Sequence, residues 1–161
     1  MGKSRHQFED PGSKQTLSDG LAEYFASNPD LKRDSQLIAE VANQFFKGHD
    51  TVHVVYGCGT SMPDEAIVKI VSLFGTTEGF AVLRGYVHHE TLDIYRNLPF
   101  VSILAAIFLS PFLLIRALLI CLRQTKRWPW LEHQKYMNAP LCRIREEFGI
   151  KIAHAKQNRA A

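Results

Sequence analysis

The chain has 161 residues, 46% hydrophobic and 22% charged, with a formal net charge of +3 at pH 7. That is ordinary composition for one globular domain with a proper core, and the charge does not call for a nucleic-acid partner, so none is expected. Cys58, Cys121 and Cys142 stand far apart and form no Cys-x-x-Cys pair, which speaks against a disulfide framework and for a reducing compartment.

Residues 1–15 read as a disordered leader. "MGKSRHQFEDPGSKQ" lacks the apolar stretch of a secretory peptide, and Glu9 and Asp10 come too early for a transit peptide. His6 stands where a myristoylation motif needs Ser or Thr. Residues 16–152 read helical nearly throughout. Leu17, Leu21, Tyr24 and Phe25 recur at helical spacing, and Asn28-Pro29 closes that element. Leu37, Ile38, Val41, Phe45 and Phe46 give a second helix its apolar face, with a break expected at Gly48. From Pro63 an apolar pattern runs toward Leu98, punctuated by Gly75, Gly79 and Gly85. "NLPFVSILAAIFLSPFLLIRALLICL" predicts one long apolar helix, "RQTKRWPW" a Trp-rich basic loop, and "HQKYMNAPLCRIREEFG" a last helix before a polar tail at 153–161. There is no internal repeat and no alternation long enough for a sheet. The class is all-α: a single-domain helical bundle with one long apolar helix.

The chemistry gathers between residues 48 and 66, "GHDTVHVVYGCGTSMPDEA". Ionisable side chains in so apolar a neighbourhood are costly unless something pairs with them. On a helix, His49 and His53 lie about 40° apart and Asp50 about 60° from His53, so the three share one arc a single turn tall. Two His at i and i+4 can share a metal. Gly57 and Gly59 allow a sharp turn. Ser61 and Asp64 have capping-box spacing and Pro63 suits a first helical turn, so a second helix starts near Met62. If it runs back antiparallel about a midpoint near Gly59, Glu65 falls level with His53. Two imidazoles and two carboxylates, His49, Asp50, His53 and Glu65, then converge on one point. That set suits zinc, with iron or manganese as further fits. Tyr56 on the His49 face and Lys69 one turn beyond Glu65 are weaker candidates for positioning a substrate.

The pattern H-D-x-x-H followed after eleven residues by E resembles the signature of the Coq-four family of ubiquinone biosynthesis. Here it reads His49-Asp50-Thr51-Val52-His53, then Glu65. The flanks "GHDTVHVVYGCGTSMPDEA" and "NAPLCRIREEFGI" are similar too, and the likeness covers roughly residues 20 to 152. The resemblance implies an all-α, metal-binding protein held peripherally on a membrane, with His49, Asp50, His53 and Glu65 as metal ligands. It also implies a polyprenyl quinone precursor or another isoprenoid lipid as partner, a role in a quinone biosynthesis complex or homo-oligomer, and two activities to choose between. One is oxidative replacement of the ring C1 carboxylate of a prenylated 4-hydroxybenzoate-type precursor. The other is a non-enzymatic prenyl-lipid-binding scaffold. With no targeting segment legible, the expected location is the cytoplasmic side of a membrane.

A membrane is also suggested by composition. Leu98 to Ile115 carries no charge, eighteen residues that reach the lower edge for a spanning helix, interrupted by Pro99 and Pro111. Arg123, Lys126 and Arg127 follow, with Trp128 and Trp130, a mixture typical of the membrane–water interface. The favoured expectation is a greasy helix that lines a lipid groove or dips into one leaflet, with those five residues as membrane contacts. A core helix and a true span are the other readings. Elsewhere, His88-His89-Glu90 would lie roughly 36 Å from Glu65 along one unbroken helix, too far to add ligands. No Glu-x-x-His supplies the second half of a di-iron site. Gly57-x-Gly59 lacks the strand that a dinucleotide site requires.

Overall fold

Thr16 opens helix α1 (Leu17–Ser27) with a capping box: its hydroxyl accepts from the Asp19 amide, and the Asp19 carboxylate takes the Thr16 N–H. Asn28 closes it, as the Asn-Pro pair predicts. The computed structural model describes residues 6–31, 40–86 and 100–153. The further helices are α2 (Glu40–Tyr56), α3 (Met62–Phe74), α4 (Leu83–Tyr86), α5 (Phe100–Arg123) and α6 (Leu141–Phe148). No strand occurs among the described residues. Two isolated bridges, Thr16 with Pro140 and Thr76 with Trp128, tie loops together. The all-α class holds.

Helix α2 is the axis of the fold. Its last turns, with Val52, Val54, Val55 and Tyr56 fully buried, are enclosed by α1, α3 and α6. Leu17 and Tyr24 face it from α1, Ile67, Val68 and Val71 from α3, and Leu141, Ile144 and Phe148 from α6. Each such burial is worth about 1.5–3 kcal/mol. α5 lies along α3. Pro111 sits within α5 at an exposed position and does not end it.

Four expectations need correction. Gly48 does not break a helix but lies inside α2, because Trp130 rests directly on it: a Cβ there would come 2.3 Å from the indole nitrogen. Trp128 and Trp130 are not at a surface. They are 0% and 2% exposed. Trp128 packs edge-on against Phe148 and beside Tyr136, both at 5.3 Å, and its N–H reaches Thr51 Oγ1 at 3.4 Å. A ring of that area, with its one polar atom satisfied, gains more in the core than at an interface. The leader is packed from residue 6 onward, with Phe8 1% exposed, and the Phe8 and Asp10 carbonyls accept from the Arg145 guanidinium. Residue 153, assigned to the tail, is buried Ala153, whose N–H donates to the Tyr56 carbonyl. Among the described residues no helix is long and apolar enough to cross a membrane. The His88-His89-Glu90 triplet lies outside the described residues.

Candidate metal centre

His49 and His53 sit on consecutive turns of α2, and Glu65 in the first turn of α3. The connection is built for reversal. Gly57 takes a left-handed φ of 66°, the Cys58 amide closes on the His53 carbonyl at 2.8 Å, and Ser61 caps α3 by accepting from the Asp64 amide. α3 therefore returns alongside α2, and the level pairing of His53 with Glu65 follows: His53 Nε2 lies 3.3 Å from Glu65 Oε1. His49 Nε2 lies 3.8 Å from Glu65 Oε2. One ligand atom from each of the three residues falls within 4.8 Å of the others. Ligand atoms of a tetrahedral zinc with bonds of about 2.0–2.2 Å sit roughly 3.3 Å apart, so the cluster is near metal-binding size.

The hydrogen bonds around His53 make the strongest case. Its Nδ1 lies 2.9 Å from the Gly59 carbonyl. A carbonyl only accepts, so Nδ1 donates to it, and Nε2 is the ring atom left to face Glu65. That Nε2 is fully buried, makes no hydrogen bond of acceptable geometry, and confronts a carboxylate oxygen. Two acceptors would face each other there without a cation between them, a proton or a metal ion. Metal-ligating histidines characteristically donate their second N–H to a backbone carbonyl or carboxylate, which fixes ring and tautomer. The residues present fit a divalent ion.

Asp50 departs from the expected foursome. It is not part of the close group, and its Oδ1 lies 3.6 Å from His49 Nδ1, on the edge of the imidazole away from Glu65. One residue after His49, its side chain leaves the helix about 100° round, which brings it beside the ring instead of in front of it. The arrangement is two imidazoles and one carboxylate facing a common point, with a second carboxylate behind one imidazole.

No family model, curated protein or solved structure matches this chain. The donor set nevertheless limits the chemistry. Three protein ligands leave coordination positions open, the pattern of catalytic zinc sites and of two-His-one-carboxylate iron sites, whereas structural zinc sites are closed by four.

Aromatic rings hold the imidazoles. Tyr24 of α1 lies 5.2 Å from the His53 ring, Phe45 stacks 6.0 Å from His49, and Trp130 lies 5.7 Å from Phe45. Tyr24, Phe45 and the Gly59 carbonyl are site residues that the sequence reading missed. A surface cavity of about 260 Å³ opens at Phe45 and Trp130, with Glu78 and Arg84 also in its lining. Tyr56 belongs to the core: fully buried, its hydroxyl accepts from Gln124 Nε2 at 2.8 Å, and burial pushes its pKa well up. Lys69 is half-buried and its charge is felt at Glu65. Cys58 is a buried thiol whose pKa burial raises well above its ordinary value. Arg123, the last residue of α5, and Lys126 and Arg127 just beyond it are exposed.

Burial lowers the His49 pKa from 6.5, against the raising influence of Asp50 and with the help of the neighbouring His53. Burial alone would raise Glu65, but the adjoining His53, with His49 and Lys69, outweighs it and holds the carboxyl below 4.5. At neutral pH the site therefore offers a neutral imidazole at His49 and a carboxylate at Glu65, the forms that bind metals. Both shifts act the same way on the metal-free fold. The unfolded chain takes up a proton at His49 before the folded one does, so this contribution fades as pH falls through 6.5. The Glu65 contribution, full above 4.5, fades as pH drops through its lowered folded value. The melting temperature of the metal-free protein should fall between pH 7.5 and pH 5, and His49→Gln should flatten that part of the curve. An unchanged slope in His49→Gln would refute the assignment.

Proposed function

We propose that this chain is a metal-dependent, membrane-associated protein of ubiquinone, or other polyprenyl quinone, biosynthesis that acts on the carboxylated ring of a prenylated precursor. The reaction proposed is replacement of the C1 carboxylate by a hydroxyl, in which the ring carboxylic acid, O₂ and water give the phenol, carbon dioxide and hydrogen peroxide. The observation that carries the reading is the two-His-one-Glu group, built round the fully buried His53 with its Nε2 aimed at Glu65. The resemblance of His49-Asp50-x-x-His53…Glu65 to the Coq-four signature supplies the substrate class. A divalent ion, zinc by ligand type with iron or manganese as further fits, would supply Lewis-acid polarisation of a ring oxygen. The chain's own groups do the rest. Glu65, half-exposed, is the donor nearest to solvent and the one with room to move. Phe45 both stacks on His49 and walls the 260 Å³ cavity, so a flat ring resting on Phe45 and Trp130 would adjoin the centre, with Arg84 available to an anionic substituent.

The scaffold reading keeps one observation in its favour. The donors bridge α2 and α3, so an ion held there also staples two helices. The two readings part on turnover. Protein loaded separately with zinc, iron and manganese, placed in vesicles with a prenylated 4-hydroxybenzoate in air, should lose the ring carboxylate from that substrate by mass spectrometry, and His53→Ala should not. If no metal form turns over while metal removal still lowers the melting temperature, the enzyme reading falls and the scaffold stands.

Asp50 gives a finer test. Asp50→Asn keeps the size and a polar atom at His49 Nδ1 but removes the charge behind the ring. It should stay folded and bind metal about 10- to 100-fold more weakly, the usual cost of losing an outer-shell partner. Unchanged affinity by competition with a chelator would remove Asp50 from the site.

A further inference from the structure

The C-terminal half of α5 leaves one face bare. Phe112, Ile115, Leu119 and Leu122 are 65, 59, 46 and 79% exposed. Their spacing of three, four and three residues keeps them within an arc of about 80° and spreads them over about 15 Å of helix. Ala117 and Ile120, on the other side, are buried. The amphipathic pattern is thus inverted at this surface: the core side is satisfied and a second apolar side remains. At the end of that stripe lies a cavity of about 350 Å³ that shares no residue with the metal centre. Phe74, Leu118 and Leu122 form its apolar wall, and Lys126 and Arg127 line it as well. Arg123 and Arg127 have no ion-pair partner among the described residues. Lys126 meets Glu147 at 3.4 Å, but both are exposed, and such a pair is worth little. The sequence from 94 to 131 contains no Asp or Glu.

We infer that this face of α5 and the cavity at its end form a docking surface for an anionic membrane leaflet. Phe112, Ile115, Leu119 and Leu122 enter the boundary of the acyl region. Arg123, Lys126 and Arg127 meet lipid phosphates, and the cavity seats one headgroup with its first methylenes against Phe74 and Leu122. An apolar stripe flanked by cations is the composition of a helix that lies in the interface plane. A second copy of the chain fits less well, since two such faces would bring cations together with no carboxylate on the helix to answer them. The inference rests on the membrane-associated part of the function proposed above and replaces the buried Trp128 and Trp130 as the anchoring residues.

The test is co-sedimentation of the full chain with phosphatidylcholine vesicles, with and without phosphatidylglycerol, at low and high salt. Three cations at the surface should favour the anionic vesicles on the order of a hundredfold at low salt, and salt should erode that preference. Arg123→Gln/Lys126→Gln/Arg127→Gln should abolish the preference. Leu119→Ser/Leu122→Ser should weaken binding at both salt concentrations, at least tenfold. Both variants change exposed side chains and should melt close to wild type. Wild-type protein that sediments with neither vesicle overturns the membrane reading as a whole. Wild-type binding that both variants retain overturns this surface and leaves the membrane reading standing. A concentration-dependent dimer in sedimentation equilibrium that Leu119→Ser/Leu122→Ser abolishes assigns the face to a second copy instead.

Discussion

Wild-type protein should carry about one divalent ion per chain, as one three-donor cluster implies, and Glu65→Gln, Glu65→Ala and His53→Ala should each lose it. The loss is large because each residue is one of only three donors. His53 is fully buried with its Nδ1 committed to Gly59, so no other side chain can take its place in that orientation. A fall in affinity of at least about a thousandfold is expected, equivalent to about 4 kcal/mol. Binding to the folded state alone also stabilises it: a ligand at about a thousand times its dissociation constant adds about 4 kcal/mol. For a chain of this size that is about 10 °C in melting temperature, which chelation should remove from the wild type and leave unchanged in Glu65→Gln. Glu65→Gln is the cleaner variant, since Glu65 is half-exposed and the change conserves shape, whereas His53→Ala also opens a cavity in the core. His88→Ala and His89→Ala should keep the metal. Full retention in His53→Ala/Glu65→Ala, by elemental analysis of dialysed protein, would sink the centre.

The parts of this centre that the sequence made legible are those set by helical period and by symmetry about a turn. His49 and His53 had to share a face because they are four apart on one helix. Glu65 had to come level with His53 because Gly57 and Ser61 mark the two ends of a tight reversal. What spacing could not supply was side-chain direction. Asp50 shares the arc in projection, yet its carboxylate turns to the back of His49. Nor could spacing supply tertiary neighbours: Tyr24 and Phe45 reach the imidazoles through packing, with no motif to announce them. The same limit explains the tryptophans. Composition placed "KRWPW" at an interface, but Gly48 leaves a gap on α2, and the indole of Trp130 fills it. Gly48 read as a helix break for the same reason, since its use is visible only with the indole in place.

Replacing Arg145 by methionine should cost this fold about 3–5 kcal/mol, roughly 10 °C in melting temperature. Arg145, on α6, is 4% exposed, and its guanidinium donates to four backbone carbonyls: Nε to Val55 at 2.9 Å, Nη1 to Asp10 at 2.6 Å, and Nη2 to Val54 at 3.0 Å and to Phe8. Burial pulls its pKa down to about 10, far enough above neutrality that it stays charged. Val54 and Val55 lie in the last turn of α2, where carbonyls run out of intrahelical partners and the helix dipole is negative. A buried cation is tolerable here because its fork meets that end directly while also holding the segment around Phe8 and Asp10. Methionine matches the bulk but donates nothing, so four buried carbonyls lose a charged partner together. Lysine should rescue only part of the loss, because its donors radiate from one atom and cannot span carbonyls from two segments. Since α2 carries both histidines, metal affinity should fall with stability in Arg145→Met, and trypsin should cut sooner after Lys14 as the 6–15 segment loosens. A melting temperature within about 2 °C of wild type would mean that water replaces the guanidinium at these carbonyls and that α2 is held by its apolar contacts alone.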